Sequence, residues 1–140
     1  MPEESTTRDL MELVRRSAEP ANSGDFDALM HFCAPSGAWD LSPMGLGAYE
    51  GDAAVRGFFE DWIGAYDDFR TEMEEVQPFG NGVVLAVFVQ TARRAGSTGF
   101  VQIRHAAVSN WVNGLIVRTI NYSDIGEARA ASERIAKERE

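Results

Sequence analysis

The order in which two periodicities follow each other constrains this chain more than any single motif. Helical patterns occupy the first part. A short strand ending in Trp39-Asp40 and a loop closing with Tyr49-Glu50-Gly51 interrupt them, and a third helical pattern follows. From residue 69 to residue 122 the pattern is strand throughout. Helices first and a long antiparallel run afterwards predict an α+β fold, in which a curved sheet wraps around helices and leaves a hollow between the layers. Such a hollow suits a small apolar molecule, but the order of elements does not say what happens there.

The first apolar stripe is Leu10, Leu13, Val14 and Ser17, with Thr6 and Asp9 resembling a capping box. Pro20 is expected to end or kink that helix near Ala18-Glu19. Asn22-Ser23-Gly24-Asp25 reads as a turn. Phe26, Leu29, Met30 and Cys33 then give a second helix one apolar face, stopped by Pro35-Ser36-Gly37. Residues 38–41 form a short edge strand and residues 42–47 a Gly/Pro loop. A third helix starts at Gly51-Asp52 and carries Val55, Phe58, Phe59, Trp62, Ile63 and Tyr66, primarily as core.

Residues 70–78 alternate loosely, and Gly80-Asn81-Gly82 marks a hairpin. Residues 83–91 are nearly all apolar, which predicts a central strand buried on both faces. Residues 93–99 form a turn, residues 100–112 a long strand, Asn113-Gly114 another hairpin and residues 115–122 the last strand. Ser123-Asp124 caps a charged terminal helix over residues 127–140. Its apolar positions are sparse (Ala128, Ala131, Ile135), so its end is expected to fray. The 140 residues fit a single domain, with residues 1–6 and 136–140 as frayed ends.

A net charge of −9 and a pI of about 4.7 argue against nucleic acid and anionic membrane surfaces as partners, because phosphate recognition needs a basic patch. Arg93-Arg94 reads as a solvated hairpin tip. No apolar window is long enough to cross a bilayer, and residues 1–9 lack the apolar segment of a signal peptide, so a cytoplasmic location is expected. The single cysteine, Cys33, excludes an internal disulfide and reads as a small core hydrophobe. His31, two residues away, does not share its helix face. Two histidines and one cysteine lack metal-ligand spacing, and Glu72, Glu74 and Glu75 read as a solvated strand-edge run. Gly45-Leu46-Gly47 leads into Tyr49-Glu50 rather than a phosphate-binding helix start. Neither a metal nor a cofactor is expected.

Several segments together resemble one family. Asn22-Ser23-Gly24-Asp25-Phe26-Asp27-Ala28-Leu29, then Trp39-Asp40, then Tyr49-Glu50-Gly51-Asp52-Ala53-Ala54-Val55-Arg56-Gly57-Phe58-Phe59, and finally Asn113-Gly114-Leu115-Ile116-Val117-Arg118 are similar to the turns and core positions of SnoaL-like proteins. These belong to the nuclear-transport-factor-2-like superfamily. The resemblance implies a cone-shaped barrel and commonly a homodimer through the convex sheet face. It also implies a choice among polyketide cyclases, ketosteroid isomerases, limonene epoxide hydrolases and non-catalytic binding proteins.

Compared with the steroid isomerase pattern, the base position falls on Leu41, with Asp40 one place before it. The tyrosine position falls on Ser17 and the second acid near Val108, which argues against that chemistry. Compared with the epoxide hydrolase pattern, the key carboxylate position is Asn121, which cannot act as a base. Polyketide cyclases leave Asp40, His31 and His105 as acid/base candidates. Strand parity decides between them. If Arg104, Ala106, Val108 and Asn110 face the hollow, then His105, Ala107, Ser109 and Trp111 face outward or into a dimer interface; the opposite register is the alternative.

The expected site has Asp40 as acid/base, with Arg104 and Asn121 steadying negative charge on oxygen. Trp39, Tyr49, Phe59, Trp62 and Phe88 would be its walls, and Gln90 and Asn110 its orienting polar groups. An inward Arg104 would need a carboxylate beside it, either Asp40 or one on the ligand. The expected function is binding of a small, largely apolar oxygenated molecule, with cofactor-free proton transfer of the cyclase or isomerase type. The alternative is a non-catalytic binding or dimerisation module that uses the convex sheet around Trp111 and His105. A third reading is an accessory protein with a vestigial pocket.

Overall fold

Proline placement and an aspartate cap divide the N-terminal helical region into three pieces. The computed structural model describes residues 3–94, 96 and 98–139, with side chains from residue 8 onward other than that of Arg94. Helix α1 spans Glu3–Ser17, so Thr6 lies inside it rather than at its cap. Pro20 sits in the first turn of the short helix α2, Glu19–Ser23, where its missing N–H costs nothing. Asp25 caps α3, Phe26–Met30, by accepting from the Ala28 N–H at 3.0 Å.

The second helix therefore stops three residues before Cys33. Cys33 instead opens strand β1, Cys33–Asp40, pairing with Ile116; a bulge before Ala38 absorbs Pro35 and Gly37. Cys33 packs with Phe26, Leu29 and Met30 all the same, which explains how a helical spacing could extend into a strand. Strand β2, Ala48–Glu50, was expected as loop. It pairs with β1 and takes the edge position assigned to β1 from sequence.

Helix α4, Asp52–Gly64, precedes four long strands: β3 (Tyr66–Gly80), β4 (Val83–Arg94), β5 (Phe100–Val112) and β6 (Leu115–Tyr122). Both Asn-Gly turns have two left-handed residues, with φ of 57° and 79° at Asn81-Gly82 and 52° and 81° at Asn113-Gly114. That is the turn whose twist matches a hairpin. Gly82 has a second reason to be glycine, because a Cβ there would collide with the Trp111 carbonyl. The sheet order is β2-β1-β6-β5-β4-β3, with β1 and β6 parallel and the other neighbours antiparallel. The α+β class and the curved, open sheet agree with the sequence reading.

Apolar packing lies on both faces of this sheet. On the concave face, Leu29, Val55, Phe59 and Ile63 form one cluster, and Val14, Val84, Trp111 and Ile116 another. On the convex face, Val83, Leu85, Val87, Ala106, Val108 and Ile120 pack against the terminal helix α5, Ile125–Glu138. The sparse apolar positions of α5 are what let it sit close. Ala128 is 0 % exposed, Ala131 2 % and Ile135 7 %. Its last turn is tied down rather than frayed: Asn81 Nδ2 donates to the Ala136 carbonyl at 2.8 Å and Arg139 Nε to the Asn81 carbonyl at 2.9 Å. Helix α5 thus covers the centre of the convex face, where the resemblance places a partner subunit. Among the described residues, no helix is long and apolar enough to cross a membrane.

Candidate functional site

A cavity of about 120 Å³ lies between the concave sheet face and helices α1 to α4. Helix α4 contributes Phe58, Phe59, Trp62 and Ile63, each a helical step apart and turned toward the sheet. Opposite them, the alternate residues of each strand line the wall: Met73 on β3, Phe88 and Gln90 on β4, His105, Ala107, Ser109 and Trp111 on β5, Asn121 on β6 and Trp39 on β1. The register makes this one continuous surface, with Phe88 opposite His105, Ala107 opposite Asn121 and Trp39 opposite Thr119.

The parity of β5 is thus the alternative one, with His105, Ala107, Ser109 and Trp111 inside. Arg104 and Asn110 lie on the convex face, and placing them at the cavity is corrected accordingly. Arg104 Nε donates to Glu74 at 2.8 Å, so its guanidinium finds a carboxylate without entering the hollow. Asp40 is also placed outside the cavity. Trp39 points in, so Asp40, the next residue of the strand, points out. Hydrogen bonds from Ser42, including its N–H at 2.9 Å, hold the Asp40 carboxyl below the usual carboxylate range, with a smaller contribution from the Arg118 charge. Tyr49 stacks on the outer side of Phe58, with ring centroids 4.9 Å apart, and lines a separate shallow groove with Leu46, Trp62 and Tyr66. Trp39, Phe59, Trp62, Phe88, Gln90 and Asn121 do face the cavity.

Three of the side chains that set the cavity's polarity, His105, Ser109 and Trp111, come inside only with the alternative parity of β5, and Thr71 joins them from β3. His105 is buried and stacks on Phe88 at 5.6 Å; burial pushes its pKa down to about 4, so it is neutral at pH 7. Burial pushes the Cys33 thiol up to about 11, so it too carries no charge. No Asp, Glu, Lys or Arg lines the cavity among the described residues. Four polar atoms of lining residues are buried without a hydrogen bond inside the chain: Thr71 Oγ1, His105 Nδ1, Trp111 Nε1 and Asn121 Oδ1. Some other polar atoms in the wall are paired. Trp62 Nε1 donates to Gln90 at 3.4 Å, and the Ser109 and Thr119 hydroxyls meet at 3.2 Å.

One signal in the sequence could have selected this parity. Arg104 and Gln102 share one face of β5, and an unpaired guanidinium is far costlier inside than an imidazole. The outward placement of Arg104 then turns His105 and Trp111 inward.

A SnoaL-like domain model matches residues 14–119, and the chain belongs to that family. No curated protein sequence matches it. Among solved structures it is similar to Bal32a from a soil-derived mobile gene cassette, with 22 % identity, a TM-score of 0.72, and coverage of 82 % of this chain and 88 % of that one. It is also similar to SalBIII, an epoxide hydrolase/cyclase-like enzyme with a role in pyran ring formation in the polyether salinomycin (19 % identity, TM-score 0.73, 83 % and 91 % covered). A third is a putative polyketide cyclase from Xanthomonas campestris pv. campestris (24 % identity, TM-score 0.66, 89 % and 97 % covered). At these identities the likeness concerns the fold.

Proposed function

We propose that the cone cavity binds a small, largely apolar molecule bearing oxygen, and that the chain acts on it by cofactor-free chemistry of the cyclase or isomerase type. The observation that carries this reading is the makeup of the cavity wall: it is mostly apolar, with a few neutral polar side chains such as Thr71, Gln90, His105, Ser109 and Asn121. Buried polar groups are ordinarily satisfied, because leaving one unmade costs about 1–3 kcal/mol. A mostly apolar hollow with sparse neutral polar groups is the makeup of a small-molecule site, and the unbonded atoms of Thr71, His105, Trp111 and Asn121 are stability given up in its wall. The cyclase-like character of SalBIII and the Xanthomonas protein supports the reaction class.

A thermal-shift screen of the full chain against neutral polyketides, steroids, terpenoid epoxides and aromatic acids tests the binding. A ligand of the native state raises the unfolding temperature by mass action. If no class of compound raises it, the reading fails.

Binding without turnover is the second reading. It is favoured by the lack of a carboxylate among the described cavity-lining residues. Incubation of a bound compound with the chain, followed by product analysis, separates the two.

A further inference from the structure

We propose that His105 and Asn121 form an uncharged two-donor cradle for one acceptor oxygen, a ketone or comparable carbonyl, and that the cavity consequently rejects carboxylates. This deepens the reading of the cavity as a ligand site and rests on it.

The placement comes from the register. Asn121 of β6 lies directly across from Ala107 of β5, and His105 is the next inward residue on β5. The two side chains are therefore diagonal neighbours on one sheet face, lining the same stretch of the cavity wall. Neither side chain makes a hydrogen bond within the chain. Nδ1 of His105 and Oδ1 of Asn121 are shut away from any accessible space, whereas Nε2 and Nδ2 are not among the sealed atoms. The open atoms are thus Nε2 of the imidazole and the amide nitrogen of Asn121.

The sealed atoms fix the polarity of the open ones. A buried N–H without an acceptor is rarer in folded proteins than a buried lone pair without a donor. Nδ1 is therefore the bare nitrogen and Nε2 carries the hydrogen. Asn121 follows the same rule, with its oxygen sealed and its NH2 open. Two N–H donors then face the cavity from adjacent strands. A carbonyl oxygen accepts from both and leaves no hydrogen of its own without a partner; a hydroxyl accepts from both but brings an O–H that finds no acceptor between two donors, and a hydrocarbon offers nothing.

The same geometry discriminates by charge. The nearby ionisable groups of the sheet, Asp40, Glu74, Arg104 and Arg118, belong to the convex face, and Arg104 and Glu74 pair there with each other. A carboxylate entering the cavity would lose its water and meet two neutral donors but no cation. A ketone loses far less solvation and gains the same two bonds. In a reaction, such donors would polarise the carbonyl and follow the growth of charge on its oxygen.

Three probes of similar size decide the matter on the full chain at pH 7: acetophenone, benzoate and ethylbenzene. Binding is read by chemical-shift titration of the lining residues. Acetophenone is expected to bind roughly threefold to tenfold tighter than ethylbenzene, the effect of a neutral hydrogen bond. Benzoate is expected to be weaker than acetophenone by roughly a hundredfold. Asn121→Leu, which removes one of the two donors, should reduce the preference for ketone over hydrocarbon. Independently of any ligand, the side-chain nitrogen shifts of His105 should report the Nε2–H tautomer.

Benzoate binding as tightly as acetophenone would overturn the proposal and leave the cavity reading standing. So would equal affinity for acetophenone and ethylbenzene, or an Nδ1–H tautomer. Failure of all three probes to perturb the lining would overturn both.

Discussion

The two faces of one sheet carry opposite designs. Strands β4, β5 and β6 send alternate residues to each side, so the faces share backbone, register and length. On the convex side, Val83, Leu85, Val87, Ala106, Val108 and Ile120 close against α5, and the charges at its margin are paired: Arg104 with Glu74 and Arg129 with Glu75. On the concave side the wall bears neutral polar groups, four of whose buried atoms have no partner, around a hollow. Under α5 the convex side is filled, as a face built for stability should be; an unbonded buried atom on that side, Arg93 Nε, lies beyond that cluster near the end of β4. The concave side gives up part of that stability, which is how binding sites differ from cores.

The strongest test of this contrast is a charge placed in the filled face. Ala131→Glu would force a carboxylate into a position 2 % exposed against the strand residues of the convex cluster. An uncompensated buried charge costs about 3–5 kcal/mol. Urea denaturation should show a loss of that size. A loss below 1 kcal/mol would mean that α5 is loosely attached and that the convex face is not the stabilising one.

The same two-sidedness explains what the sequence did and did not disclose. Helix and strand order, both Asn-Gly turns and the long strands were legible because each has a local cause: a period of 3.6 or 2, or a residue pair tolerant of positive φ. The inward face of β5 was harder to read. A strand with one wet face would show plain alternation, but α5 makes the convex face apolar too, so Ala106 and Val108 look as inward as Ala107. Helix α5 does this with Ala128 and Ala131, residues too small to advertise a packed helix. The start of β1 is hidden in the sequence for a related reason. Its partner, β6, lies about eighty residues on and runs parallel to it, so nothing local marks Cys33 as the start of a strand. Asp40 attracted attention as a carboxylate in the right neighbourhood, and a one-residue step along a strand put it on the other face.

A second test of the comparison uses pH, because His105 is a titratable group on the unsatisfied face. Its pKa is about 4 in the folded chain against an ordinary 6.5. Between those values the unfolded chain binds the proton and the folded chain does not, so stability rises with pH. The contribution is fully present above pH 6.5 and is lost as pH falls toward 4. A displacement of that size corresponds to about 3 kcal/mol. Urea midpoints measured from pH 7 to pH 4 should fall accordingly, and His105→Leu should flatten the slope over that interval. Asp40, held below its ordinary value by Ser42, loses its contribution only at lower pH, so the two are separable. An unchanged slope in His105→Leu would mean that the imidazole is not desolvated, and the concave face would lose its distinguishing character.

The smallest expected effect comes from the neighbouring residue. Arg104 precedes His105 on β5 and points the other way, with its ion pair to Glu74 largely in solvent. Exposed pairs of this kind contribute about 0–1 kcal/mol, since water screens them and two long side chains must be held still. Arg104→Gln should therefore shift the urea midpoint within that range and leave the affinity for any cavity ligand unchanged. His105→Leu, one residue along, should change ligand affinity. Sensitivity of ligand binding to Arg104→Gln equal to that of His105→Leu would show that charge on the convex face reaches through the sheet. The division of labour between the two faces would then be wrong, because a single strand would be serving the site from both sides.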